Sequence, residues 1–314
     1  HACFDPNELV YNYPRGEKEL LGPFHHFSTG DTIEWFSKRG VDLKIEEDGR
    51  MFPVSDSSQT IIDCFINESK RLGIKILTST EVIKIKKNNS FDLTINNGKK
   101  LEADVLIVAS GGSQKMNHYK MLEDLGHSII KPIPSLFTFN LPKHSSNDLM
   151  GLAANAIVKI VDTNYEEYGP VLFTHWGMSG PAILKLSSKA ATILYQKSYQ
   201  FDFEIEWMSN ANEWIEENRK VKARQKILNA NVEGIPNRLW IYLLNRSGIS
   251  SDKNWADLSK SDMLNLLQVL ESDCYSANGK TTFKEEFVSC GGVDLKGINM
   301  KTMESKKVEG LYFA

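Results

Sequence analysis

The sequence predicts an α/β protein with a helical insert, and three stretches carry that prediction. Asp104-Val105-Leu106-Ile107-Val108-Ala109 is a nearly continuous apolar run closed by Ser110-Gly111-Gly112, the pattern of a parallel strand buried on both faces. Further upstream the period is two: Ile83 and Ile85 alternate with Lys84 and Lys86, and Phe91, Leu93 and Ile95 with Asp92, Thr94 and Asn96. Met263, Leu266, Leu267 and Leu270 have i, i+3, i+4, i+7 spacing, which marks a helix.

The elements follow in order. Asp31 to Arg39 reads as a short helix that Gly40 ends. Leu43–Glu46 and Met51–Val54 flank the turn Asp48-Gly49 and predict a hairpin. Asp56-Ser57-Ser58-Gln59 has capping-box spacing, and the helix it opens turns Ile61, Ile62, Phe65 and Leu72 inward before Gly73 stops it. Cys64 within this helix reads as a small core residue. Asn97-Gly98 is a strong hairpin signal, and Lys84, Lys86 and Lys87 are the wet face of an antiparallel strand. The composition shifts near Pro132 and Pro134. Phe137 to Trp207 holds strand-like runs and one helix, which starts at Ser179-Gly180-Pro181 and buries Ile183, Leu186, Ala190 and Leu194. Residues 210–273 are helical and read as a solvated cap or lid, and strand signals return from Phe283 to Cys290 before Gly291-Gly292.

Composition narrows the class. Of 314 residues, 41% are hydrophobic and 25% charged, as expected of a folded globular chain. Thirty-seven basic against 40 acidic side chains give a net charge of -3, which carries no electrostatic footprint for nucleic acid. The helical stretch 205–275 is equally balanced, with nine basic and ten acidic residues. No apolar run approaches the roughly 20 residues of a membrane span. Cys3, Cys64, Cys274 and Cys290 form no Cys-x-x-Cys pair, so free thiols in a reducing cytoplasm are the expectation. The chain opens on His1 and stops in the apolar run Gly310-Leu311-Tyr312-Phe313-Ala314, which reads as the middle of a strand. It is expected to be an interior stretch of a longer protein.

Few residues suggest chemistry by themselves. The helix start at Ser179-Gly180 is able to hold an anion on its free N–H groups, or Ser179 is a cap and nothing more. His175 is a proton donor or ligand binder, or a histidine tied to backbone in a tight turn. Arg50, at the tip of a hairpin before Met51-Phe52-Pro53, is able to hold an acidic substrate or a cofactor phosphate, or is simply solvated. His25-His26 diverge in a helix or strand and make a poor metal pair, and no metal motif is expected.

Several stretches together resemble one family, the aminoacetone oxidase-like or NAD(P)/FAD-dependent oxidoreductase flavoproteins. They are Ala2-Cys3-Phe4-Asp5-Pro6, Gly49-Arg50-Met51-Phe52-Pro53, Val108-Ala109-Ser110-Gly111-Gly112, Phe173-Thr174-His175-Trp176-Gly177-Met178-Ser179-Gly180-Pro181, Cys290-Gly291-Gly292-Val293 and Thr302-Met303-Glu304-Ser305-Lys306. They occur in the family's order across nearly the whole chain. The resemblance implies a three-layer FAD/NAD(P)-binding domain of glutathione-reductase type, with an inserted β-rich domain carrying a helical cap. The implied boundaries are 1–134 for the FAD domain, 135–208 for the β-rich domain, 209–274 for the cap, 275–300 for the β-rich return and 301–314 for the last FAD-domain part. Family members place a Gly-x-Gly-x-x-Gly turn before the position of His1 and a glycine-rich segment after Ala314.

The resemblance further implies that Val82 meets the adenine through its backbone and that Ala109, Ser110, Gly111 and Gly112 form the turn beside the dinucleotide. Ser110 stands where many relatives have Thr, and the following loop, Ser113-Gln114-Lys115-Met116, is short. Arg50, Phe52, His175, Ser179 and Gly180 are candidates for the substrate side, with Arg50 and His175 the catalytic candidates. The implied activity is FAD-dependent oxidation or reduction of a small organic molecule, with an aminoacetone-like amine as one substrate. The alternatives are NAD(P)H-driven reduction of an enone, and a flavin-fold RNA-modifying or non-catalytic binding protein. The balanced charge argues against RNA, so a small molecule is the expected partner and neither nucleic acid nor membrane is.

Overall fold

Alternating apolar residues build the sheets. The computed structural model describes residues 1–113, 115–142, 149–281 and 288–314. These fall into two units: 1–111, 115–131 and 291–314 form the first, and 112, 113 and the described residues of 132–290 the second. The chain thus leaves the first unit between Lys131 and Pro132 and returns between Cys290 and Gly291, rather than at 300/301.

In the first unit, Val82–Lys87, Phe91–Ile95 and Lys100–Ala103 form an antiparallel three-stranded sheet. Phe91, Leu93 and Ile95 are buried as the alternation requires. A register shift between Val82 and Lys84 breaks the pattern, so Ile85 is buried while Ile83 is exposed. A second sheet runs in the order Ile298–Asn299, Glu304–Ser305, Leu311–Phe313, Leu106–Val108, and its last pair is parallel. Both sheets close on one apolar cluster that includes Ile85, Phe91, Leu93, Leu122, Leu311 and Phe313.

Three expectations change here. Leu106–Val108 is parallel-paired as predicted but is the edge strand among the described residues, and Ile107 is 63% exposed, so it is not buried on both faces. The helix Ser58–Arg71 starts at Ser57, whose side chain makes no capping hydrogen bond, and Ile62, Phe65 and Leu72 are exposed. Its buried positions are Cys64 and Glu68. Glu68 tolerates burial because Arg39 and Arg71 both reach its carboxylate, at 2.5 and 2.7 Å. Each strand of the hairpin stops one residue sooner than predicted, as Leu43–Ile45 paired with Met51–Pro53.

The second unit is a seven-stranded antiparallel sheet in the order 273–278, 200–206, 153–160, 166–174, 177–179, 138–140, 280–281. Its two edge strands are consecutive in the chain, broken at Gly279, so one stretch of chain joins both edges and the sheet curls on itself. Phe137, Phe139, Phe201, Phe203 and Tyr275 meet ring to ring inside the curl. The helices Ala211–Val221, Asn237–Arg246 and Lys260–Glu271 place Ile215, Trp240, Leu243, Leu266 and Leu270 in the same core cluster as Phe139 and Val158. They are part of the sheet's own core and not a separately solvated cap. The first half of the expected strand 283–290 lies outside the described residues, and Val288–Val293 is a strand.

The sequence places the helix after Ser179 correctly, and Ile183, Leu186, Ala190 and Leu194 are all buried. It divides at Ala190 into Pro181–Lys189 and Ala191–Gln196. Its N-cap is Gly180, with Pro181 in the first turn.

Candidate functional site

Three of the cofactor-side residues, Ala109, Ser110 and Gly111, lie just past the parallel strands of the first unit. The parallel strands Leu106–Val108 and Leu311–Phe313 end together, and the Ala314 N–H donates to the Val108 carbonyl at 3.0 Å. Ligands of open α/β sheets bind just beyond such carboxyl ends. Ala109, Ser110 and Gly111 follow directly and are exposed. Gly111 has φ +69° with nothing within 4 Å of the place a Cβ would take, so this turn leaves room against its backbone. Ser110 Oγ is 3.2 Å from His118 Nε2. His118, absent from the sequence expectations, therefore orients that hydroxyl. Val82 opens its strand and packs, like Val108, on the apolar cluster beneath both sheets. This open turn fits a dinucleotide: Ala109, Ser110 and Gly111 would hold it by backbone, with Val82 on the neighbouring sheet. Gly112, next in the chain, belongs to the second unit, where a Cβ would come within 3.2 Å of the Ser289 side chain.

Arg50 and Phe52 share the first unit's hairpin. The Arg50 Nε donates to Asp48 Oδ2 at 2.7 Å, and the Arg50 backbone N–H donates to Asp48 Oδ1 at 3.1 Å. That backbone bond, more than the guanidinium, holds the Asp48 carboxyl below its ordinary pKa. The guanidinium lies 5.5 Å from the Phe52 ring centroid, and Phe52 is 40% exposed. Arg50 is thus an oriented surface cation with an aromatic neighbour.

The remaining candidates lie in the second unit and divide into exposed and buried. His175 and Trp176 form the two-residue tip of the hairpin Glu166–Thr174 to Gly177–Ser179, and both are exposed. The tip is tightly held: Thr174 Oγ1 donates to the Gly177 carbonyl at 3.1 Å, and the Leu141 N–H donates to the Trp176 carbonyl at 2.8 Å.

Ser179 is not a helix cap. It ends a strand, is 7% exposed, and its Oγ accepts from Thr138 Oγ1 at 3.1 Å. Gly180 (φ +94°) is fixed by packing, because a Cβ there would stand 2.6 Å from the Pro170 carbonyl oxygen. The expectation that Ser179 and Gly180 face substrate is therefore corrected. Both belong to the interior of the second unit, and the sequence misread them because a Ser-Gly-Pro triplet looks the same in a strand-to-helix corner as in an anion site.

Among the described residues no group of three or more His, Cys, Asp or Glu side chains is placed to hold a metal ion. No described helix is long and apolar enough to cross a membrane.

The HI0933-like protein Rossmann domain matches residues 1–314, and the chain belongs to that FAD-binding family. It is similar to the ribosomal RNA dihydrouridine synthases of Escherichia coli K12 and Haemophilus influenzae Rd. Each is 27% identical, over 98% of this chain and 77% of the relative. It is also 23% identical to the 3-dehydro-bile acid delta(4,6)-reductase of Clostridium scindens, over 91% of this chain and 73% of that protein. Family and relatives make the chain an oxidoreductase of the FAD-binding Rossmann class.

Proposed function

We propose that this protein reduces a carbon–carbon double bond conjugated to a carbonyl, and that its substrate is a uridine base carried in RNA. The observation that carries the reading is the shared bond chemistry of its relatives. A dihydrouridine synthase and a delta(4,6)-reductase acting on a 3-dehydro compound both name the addition of hydrogen to such a bond. The more extensive likeness is to the two RNA enzymes, which favours uridine over a steroid. FAD, when bound, supplies hydride-transfer chemistry, with NAD(P)H as the reductant. The open turn at Ala109, Ser110 and Gly111 holds the dinucleotide by backbone. Reducing the bond also takes a proton at the carbon next to the carbonyl, and His175, exposed on a rigid tip, is the residue we assign to deliver it. Arg50 is suited to a carbonyl or phosphate oxygen. The chain's charge of -3 is an average and does not bear on a local RNA contact.

Amine oxidation is the competing chemistry. Anaerobic stopped-flow spectroscopy separates the two by recording bleaching of the flavin band with NADH, NADPH and aminoacetone. Fast bleaching by a nicotinamide, followed by reoxidation with uridine-containing RNA and appearance of dihydrouridine, is the expected result. Bleaching by the amine alone would overturn the reading.

A further inference from the structure

We propose that residues 219–226 form an RNA-docking surface, with Lys220, Lys222 and Arg224 seated on backbone phosphates; this rests on the reading of the substrate as RNA. The balance of nine cations and ten acids over residues 205–275 conceals a segregation. Arg219, Lys220, Lys222, Arg224 and Lys226 fall within eight residues that contain no acid, whereas Glu206, Glu213, Glu216 and Glu217 precede them.

Within this run the outer members are matched. Arg219 approaches Glu216 at 3.8 Å, and Lys226 pairs with Asp252 at 2.8 Å. Lys220, Lys222 and Arg224 have no carboxylate partner among the described residues. Elsewhere in the helical part Arg246 is paired with Asp273 at 2.6 Å and Lys253 with Asp262 at 2.7 Å. The helix dipole accounts for Arg219 and Lys220 in the last turn of Ala211–Val221, but Lys222 is the C-cap and Arg224 lies past it.

The run is also held rigidly, which a merely solvated charge run does not require. Its backbone is laid along residues 253–256 by hydrogen bonds from the Ala256 N–H to the Ala223 carbonyl (2.9 Å), from the Trp255 N–H to the Gln225 carbonyl (3.0 Å) and from the Ile227 N–H to the Lys253 carbonyl (3.0 Å). The buried Trp240 Nε1–H donates to the Ile227 carbonyl at 3.0 Å, and Trp214 packs edge-on against both Trp240 and the buried Trp255. Three unmatched cations on a fixed backbone supply the charge that neutralises the phosphates of a nucleic-acid strand.

The test compares the full-length, FAD-loaded protein with the K220E/K222E/R224E variant and with a K84E/K86E/K100E control, which removes the same charge from the wet face of the three-stranded sheet. Fluorescence anisotropy of a labelled uridine-containing RNA is read across a salt series. We expect the log–log salt slope of the first variant to fall by about 2, about 0.7 for each single-strand phosphate no longer neutralised, and its affinity to fall about tenfold or more. The control should bind as the parent does. A K220Q/K222Q/R224Q variant gives the same reading if the glutamates impair folding. RNA binding by the parent that the first variant retains, or that the control loses equally, would overturn this surface and leave the RNA substrate intact. Absence of RNA binding by the parent would overturn both, while the nicotinamide and double-bond assays still judge the reductase chemistry separately. Binding to anionic phosphatidylserine vesicles and not to RNA would also overturn it.

Discussion

Asp273 and Arg246 form an ion pair at 2.6 Å in which the carboxylate side is 1% exposed and the guanidinium side 25%. Trp207 Nε1–H and the Tyr275 hydroxyl also donate to Asp273, at 3.2 and 2.5 Å, so every lone pair that burial removes from water finds a donor. The pair joins the strand Asp273–Asn278 to the helix Asn237–Arg246, which ties the helical part to the curled sheet.

Removing one partner strands the other. Arg246→Met leaves a buried carboxylate without its counter-charge and is expected to destabilise the protein by about 3–5 kcal/mol, measured by urea denaturation. Burial already raises the Asp273 pKa and Arg246 opposes that rise, so the variant should raise it further. A raised carboxyl pKa contributes stability that is present below the unfolded value near 3.8 and is lost as pH rises through the folded value. The Arg246→Met loss should accordingly shrink in acid. Arg246→Met with Asp273→Asn should recover most of it, and no recovery would mean the charge pair is not what joins the two elements.

Two acid-sensitive groups of the first unit differ in range. Ser305 Oγ accepts from the N–H groups of Lys307 and Val308 at 3.0 and 2.9 Å, so its proton points to His127 Nε2, 3.0 Å away. His127 is therefore held neutral, and burial lowers its pKa below 6.5, with Lys307 adding to the effect. Its stabilising contribution is fully present above about pH 6.5 and is lost as pH falls through the lowered value. Glu68, hydrogen-bonded by Arg71 and Arg39, is lowered from 4.5 to about 2, so its contribution holds above 4.5 and is lost toward pH 2. Denaturation midpoints between pH 8 and 2 should fall in two stages. His127→Gln should abolish the first and Glu68→Gln should weaken the second.

Gly180→Ala should destabilise the second unit by about 2–5 kcal/mol, combining a left-handed backbone with a clash against Pro170. Gly248 gives the comparison: its φ is +71° with open space around it, so Gly248→Ala should cost only about 1–2 kcal/mol. Thermal unfolding of both variants checks the difference. Equal losses would show that backbone conformation alone, and not the approach of the Pro170 carbonyl, requires this glycine.

Local pattern made much of this protein legible. The period-two strands, the Asn97-Gly98 turn and the buried face after Pro181 follow from neighbours in sequence. What stayed hidden depends on partners far along the chain. Nothing near Glu68 says that Arg39 will bury it, and so the local pattern of its helix points to Ile62, Phe65 and Leu72 as the inward face. Nothing near Ile107 says that its strand stands at an edge. At the candidate site the glycine turn was visible because strand and turn are contiguous, whereas the His118–Ser110 contact crosses eight residues without a motif. The even charge of the helical part was legible as a sum, but a sum over 71 residues does not show that five cations fall within a run of eight.

The tip residues His175 and Trp176 should separate binding from chemistry. Trp176 is 56% exposed, yet its backbone is fixed by Leu141, and Gly177 beside it packs so closely on Phe139 that an added Cβ would meet that carbonyl oxygen. A large ring displayed on a rigid turn is suited to stacking on a planar base, an interaction of about 1–3 kcal/mol. Trp176→Ala should therefore raise the KM for RNA about five- to 150-fold with little change in kcat, and Trp176→Phe should restore most of it. If His175 delivers the proton, His175→Gln should lower kcat about 10²- to 10⁴-fold and leave KM nearly unchanged. Flavin reduction by NAD(P)H, which precedes that proton, should proceed at the parental rate in every one of these variants. A His175→Gln protein with parental kcat would assign the proton to another donor, and one slowed in flavin reduction as well would show the tip to be structural.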